Sequence, residues 1–159
     1  MLHTILDFFK RSCTKLSLFL ILLNFISPVL SVCYYPNGQV TTSDVACTDS
    51  TAESACCSVG YICLSNGICM KSDDPIEAGS SSSYVRGSCT DSTWRSSYCP
   101  NFCVDANAPR MDDTAGGEGM AKCPNTDIDM YYCVDFDQSA VNCTTQQNVI
   151  VFQGKFTII

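Results

Sequence analysis

Histidine is all but missing from this chain: its single residue, His3, stands next to the start. Tryptophan also occurs once, as Trp94. Charged residues make up only 16%, and nine lysines and arginines face sixteen aspartates and glutamates. Each shortage excludes something. The net charge of −7 leaves no basic footprint for nucleic acid. A length of 159 residues allows one ordinary domain or two very small ones. It argues against a large α/β enzyme, a barrel and a multi-pass membrane protein. Long apolar runs are scarce too. The longest, Leu16 to Leu30, is fifteen residues, interrupted by Asn24 and Pro28, whereas a membrane span takes about 20.

That run follows Lys10, Arg11 and Lys15 and ends in Val29-Leu30-Ser31. It reads as a signal peptide over 1–31, cleaved after Ser31; an uncleaved signal anchor is the alternative. Cleavage removes the only histidine, and with it any Ser-His-Asp or Cys-His pair and any histidine-ligated zinc or copper site. It also removes Cys13, leaving twelve of the thirteen cysteines, an even number. Twelve in the remaining 128 residues is the density of a disulfide scaffold. An oxidising export route pairs them, each bridge contributing about 2–4 kcal/mol.

The cysteines fall into two groups of six. Cys33, Cys47, Cys56, Cys57, Cys63 and Cys69 form the first; Cys89, Cys99, Cys103, Cys123, Cys133 and Cys143 form the second. Residues 71–83 between them are polar and Gly/Ser-rich, as in a flexible linker. The expected architecture is small, disulfide-rich and β-rich: a six-cysteine module over 32–70, the linker, and a second six-cysteine module over 84–159 with an apolar C-terminal strand. A single twelve-cysteine domain is the alternative. Asn66-Gly67, between Cys63 and Cys69, predicts a tight type I′ hairpin. Cys99 and Cys103, four apart with Pro100 after the first, would share one helix face. Over 127–137, alternation predicts a strand with Ile128, Met130, Tyr132, Val134 and Phe136 on its buried face.

The first group's order, C-x13-C-x8-CC-x5-C-x5-C, resembles that of cystine-knot miniproteins and of hevein-like chitin-binding modules. Spacing alone allows fifteen pairings. The resemblance implies Cys33–Cys57, Cys47–Cys63 and Cys56–Cys69, with the second group paired within itself. A wider set of strings carries a second resemblance. Cys33-Tyr-Tyr-Pro-Asn-Gly38, Ala55-Cys-Cys57, Gly60 to Cys69, Tyr84 to Asp91, Cys99-Pro-Asn-Phe-Cys103 and Lys122-Cys-Pro-Asn-Thr-Asp127 together resemble a group of filamentous-fungal extracellular cysteine-rich proteins of uncharacterised function. That resemblance covers nearly all of 33–159. It implies a secreted or cell-surface location, with a membrane reached only through the leader or a missing C-terminal extension.

Little catalytic chemistry is left, and no enzyme activity, cofactor or metal is expected. Asp127 with Asp129, and Asp135 with Asp137, share strand faces by spacing, but flank one strand instead of facing across a cleft. Asp112, Asp113 and Glu118 lack the spacing of a calcium loop. Recognition is the expected function, of polysaccharide or of an extracellular protein. Exposed aromatics on rigid loops would carry it: Tyr34, Tyr35 and Tyr61 in the first module, Trp94 and Tyr98 in the second. A knottin-type inhibitor or effector acting on a protein, and a structural ectodomain without a ligand site, are the alternatives. Asn142-Cys143-Thr144 is a glycosylation sequon.

Overall fold

The computed structural model describes residues 31–72, 82–107, 112–135, 138–154 and 156–159. These belong to one compact unit, Ser31–Ile159. The signal-peptide reading, apart from Ser31, lies outside the described residues.

Short runs of β-branched, aromatic and cysteine residues between turn residues give eleven short strands among the described residues. They are β1 (Cys33–Tyr34), β2 (Val40–Thr41), β3 (Asp44–Ala46), β4 (Ala55–Ser58), β5 (Tyr61–Cys63), β6 (Ile68–Lys71), β7 (Tyr84–Arg86), β8 (Ser88–Cys89), β9 (Glu118–Lys122), β10 (Asp129–Cys133) and β11 (Ile150–Phe152). Sheet A has the order β2-β1-β8-β4-β3 and sheet B the order β11-β10-β9-β7-β6-β5. Every pairing is antiparallel.

The two cysteine groups stay separate in their bridges but not in their sheets. Cys33–Cys56, Cys47–Cys63 and Cys57–Cys69 close the first group. Cys89–Cys99, Cys103–Cys133 and Cys123–Cys143 close the second, paired within itself. Yet β8, which carries Cys89, lies between β1 and β4, and β7 pairs with β6. The expected modules over 32–70 and 84–159 are therefore one unit. Two- and three-stranded pieces without a core leave edges unpaired, and sharing strands covers them. The expected linker is a hairpin connection: Lys71 N donates to Ser83 O at 2.8 Å, and Met70 faces Tyr84. Its middle, 73–81, lies outside the described residues.

The knot order does not form. Cys56 and Cys57 are consecutive in β4, so their side chains leave on opposite faces. Cys56 takes Cys33 within sheet A, and Cys57 takes Cys69 on β6 of sheet B. The implied Cys33–Cys57 and Cys56–Cys69 are thus exchanged, while Cys47–Cys63 stands. The Asn66-Gly67 hairpin also stands, with a different turn. Leu64 N bonds to Ile68 O and Gly67 N to Leu64 O, and in this loop Gly67 alone has positive φ, +83°. This is a type I turn followed by a glycine bulge, not a type I′ turn.

The segment Cys99–Cys103 is not helical; among the described residues the only helical turn is a 3-10 turn, Gln138–Ala140. A helix would aim both sulfurs one way, but Cys99 reaches Cys89 and Cys103 reaches Cys133. The strand expected over 127–137 is β10 alone. Ile128 is exposed, and Tyr131, expected on the solvent face, is fully buried. β10 is interior to sheet B and both of its faces are covered at Met130 and Tyr131. Phe136 and Asp137 lie outside the described residues.

The core sits on sheet B: Leu64, Ile68, Cys103, Met120 and Tyr131, with Met70, Tyr84, Phe102, Phe152 and Phe156 packed around them. Tyr131 meets Tyr84 and Phe152 edge-on at 5.0 and 5.8 Å. After β11 the chain crosses to the opposite edge of sheet B. Ile158 bridges Leu64, Ser65 N bonds to Thr157 O at 2.9 Å, and Ile159 N bonds to Cys63 O at 3.1 Å. Six residue steps separate Phe152 from Ile158, a reach of about 20 Å at full extension. The sheet therefore curls until its edges are tied together, approaching the barrel that length argued against.

Candidate functional site

The Asn66-Gly67 hairpin and the loop Ser97–Phe102 enclose a groove of about 360 Å³. Leu64, Pro100 and Phe102 supply its apolar floor; Ser65, Asn66 and Asn101 supply a hydroxyl and amides, while the buried Ser54 hydroxyl is given to Ala55 O at 2.8 Å. The hairpin turn places Asn66: its Oδ1 accepts Ile68 N at 3.1 Å, which leaves the buried Nδ2 without a partner. Tyr98 stands on the rim, 55% exposed, held on a loop that Cys89–Cys99 anchors. Ile159 borders the same groove. Among the described residues no charged side chain lines it, so the shape and polarity suit a neutral ligand with both a flat apolar face and hydrogen-bonding groups.

Of the aromatics proposed from sequence, Tyr98 alone lines this groove. Trp94 and Tyr34 come together elsewhere: the Trp94 indole N–H donates to Tyr34 O at 3.0 Å, and the Trp94 ring lies 5.6 Å from the Arg86 guanidinium. Tyr34, Tyr35 and Trp94 are half-buried. Tyr61 lies on β5, its hydroxyl given to Ser82 O at 3.0 Å. Asn142 is exposed, and its Oδ1 accepts the amides of Thr144 and Thr145. Asp129, one of the paired carboxylates, forms an ion pair with Lys122 at 2.8 Å.

Sequence reasoning missed a buried polar centre. Arg86 has no exposed surface and donates to four carbonyls: Cys103 at 3.3 Å, Gly87 at 2.8 Å, Gly116 at 2.9 Å, and Asp113. Its strand neighbour in the β7–β9 register is Glu118, also fully buried. Glu118 accepts the Asp113 amide at 2.8 Å through one carboxylate oxygen. Burial pulls the Arg86 guanidinium down to about 10, against the pull of Glu118, Asp113 and Asp112. Asp44 is buried too, accepting hydroxyls from Ser58, Ser43 and Ser88. No spacing flagged Arg86 or Asp44, and Asp112, Asp113 and Glu118 stood out only as a loose acidic group, because charged residues in a short strand default to the surface.

Glu118 yields a pH prediction. Burial raises its carboxyl above the ordinary 4.5; the Asp113 and Asp135 amides oppose this, and the charges of Asp135 and Asp112 add to the rise. The folded state therefore holds this proton more tightly than the unfolded chain does. The resulting stability is present in full below pH 4.5 and is lost as pH rises through the folded value. Urea unfolding from pH 4 to 7 should show Glu118→Gln losing less stability than wild type across that range; parallel slopes would refute it.

Six disulfides suit an oxidising compartment. Among the described residues no helix is long and apolar enough to cross a membrane. Compared with protein families, curated proteins and solved structures, the chain matches none of them significantly.

Proposed function

We propose that this is an extracellular recognition protein whose groove beside Tyr98 takes a neutral sugar unit of a surface polysaccharide. The observation that carries the reading is one exposed tyrosine beside an apolar floor, ringed by amides and a hydroxyl and, among the described residues, by no charged side chain. Sugar rings have apolar faces that stack on aromatic rings and hydroxyl edges that bond to such groups. The disulfide at Cys99 holds the tyrosine loop before the ligand arrives, which lowers the entropy lost on binding. Trp94 and Tyr61 are secondary in this reading, since their polar atoms are already engaged within the protein.

The test is co-sedimentation of the fully bridged protein with insoluble chitin, β-glucan and cell walls. Wild type is expected to be retained on at least one of them. Tyr98→Ala should weaken retention about tenfold or more, the scale of a central aromatic contact. Tyr61→Ala should leave it unchanged. Equal retention of Tyr98→Ala and wild type, or no retention of either, sinks the carbohydrate reading.

A further inference from the structure

Two of the six bridges share one cluster of sulfur. Cys47 directly follows β3 and Cys57 lies in β4 of sheet A; Cys63 and Cys69 lie in β5 and β6 of sheet B. Cys47–Cys63 and Cys57–Cys69 therefore both run from one sheet to the other. The sulfurs of Cys47 and Cys57, which are not bonded to each other, are 3.7 Å apart. Those of Cys47, Cys57 and Cys63 all lie within 4.8 Å of one another. With all four residues oxidised, the chemistry open to them is exchange.

The same four sulfurs have a second pairing within reach. Cys63 and Cys69 are direct partners in the β5–β6 register. The next pair toward the turn, Leu64 and Ile68, is hydrogen-bonded, so Cys63 and Cys69 form the close, non-hydrogen-bonded kind, with Cα atoms about 4.5 Å apart. That separation suits a disulfide. Cys47 and Cys57 are already in contact. Burial sets the point of entry: Cys57 and Cys69 are 5% and 1% exposed, whereas Cys47 and Cys63 are half-buried and Cys47 borders the groove.

We propose that this cluster is an exchange site for a low-molecular-weight thiol, which enters at Cys47 and converts the two inter-sheet bridges into two intra-sheet ones. The external thiolate attacks Cys47 Sγ, forms a mixed disulfide and releases the Cys63 thiolate. Cys63 attacks Cys69 Sγ across the β5–β6 pair, forming Cys63–Cys69 and releasing the Cys57 thiolate. Cys57 attacks Cys47 Sγ, forming Cys47–Cys57 and returning the external thiolate. Two disulfides are consumed and two are made, the thiol is regenerated, and nothing is oxidised or reduced overall. The remaining bridges lie within sheet A or end in loops, so the exchange removes the direct staples between the sheets.

The experiment uses the oxidised wild-type protein with glutathione at pH 8, quenched in acid. Bridges are then mapped by digestion and fragmentation between Cys56 and Cys57. The expected result is loss of the Cys47–Cys63 and Cys57–Cys69 peptides, matched by gain of the Cys63–Cys69 loop, at unchanged intact mass. The gain should exceed a thiol-free control by about tenfold or more. Glutathione trapped on Cys47 with Cys57–Cys69 intact, or no reaction of either bridge, overturns the proposal. The double variant Cys47→Ser, Cys63→Ser should protect Cys57–Cys69 from the same thiol. Its opening at the wild-type rate also overturns the proposal.

Discussion

Gly87→Ala is expected to prevent formation of the native six-bridge protein. Gly87 carries the chain from β7 of one sheet to β8 of the other. A Cβ built there would stand 2.0 Å from Cys56 O and 2.9 Å from Cys69 Sγ. One neighbour is backbone and the other belongs to a disulfide, so neither can yield. Overpacking commonly costs about 1–3 kcal/mol, and a backbone clash this close belongs above that range, against a total stability of about 5–15 kcal/mol. Oxidative refolding should give mixed bridge isomers in place of one species on reversed-phase separation. Gly38→Ala is the control. Its φ is +84° but nothing lies within 4 Å of the added carbon, so it should cost about 1–2 kcal/mol and fold. Comparable native yields for the two variants would contradict the assignment of Gly87 as the tightest crossing point.

The second large effect is expected at Arg86. Arg86→Met keeps much of the side-chain volume but removes the donor from four carbonyls. It also leaves Glu118 buried without its cationic neighbour. Leaving buried acceptors without their donor costs about 1–3 kcal/mol each, so losing several together costs several kcal/mol. For a unit of this size that lowers the melting temperature by roughly 10 °C or more. Arg86→Lys should fall between, since one ammonium cannot reproduce a planar fork of donors. Thermal unfolding with the bridges intact reads this directly, and an Arg86→Met variant that melts within a few degrees of wild type would show the carbonyls to be satisfied without it.

What the sequence disclosed, and what it hid, follows from the range of each signal. Asn66-Gly67 announced its hairpin because turn chemistry is local; the turn type was missed because glycine alone took the left-handed conformation. Two groups of six cysteines announced two sets of three bridges. The partners of Cys56 and Cys57 were hidden, because adjacent positions differ only in the face they present. The merging of the expected modules was hidden as well: nothing in Ser88-Cys89 says that it will lie between β1 and β4. Tyr98 was named as a contact and lines the groove, whereas Trp94 looked equally available until its indole N–H was found on Tyr34 O. Leu64, Ser65 and Asn101, also in the groove, carry no pattern that marks them as its lining in one dimension.

The arrangement of bridges and sheets also dictates an order of assembly. No bridge joins the first six cysteines to the last six, and the longest spans 30 positions. The seam between Thr157 and Ser65 spans 92. Were the chain delivered from its first residue into an oxidising space, as the proposed extracellular role requires, the early cysteines would meet their own partners before the later ones arrive. Covalent closure can therefore keep pace with synthesis, while both sheets wait for strands made later and the seam to Ser65 waits for Thr157. Until then Leu64 and Ile68 lack the core partners Met120 and Tyr131. For this chain the hazardous interval is one in which the early bridges are made and the hydrophobic surface is still open, and the length of that interval is set by the rate of chain delivery.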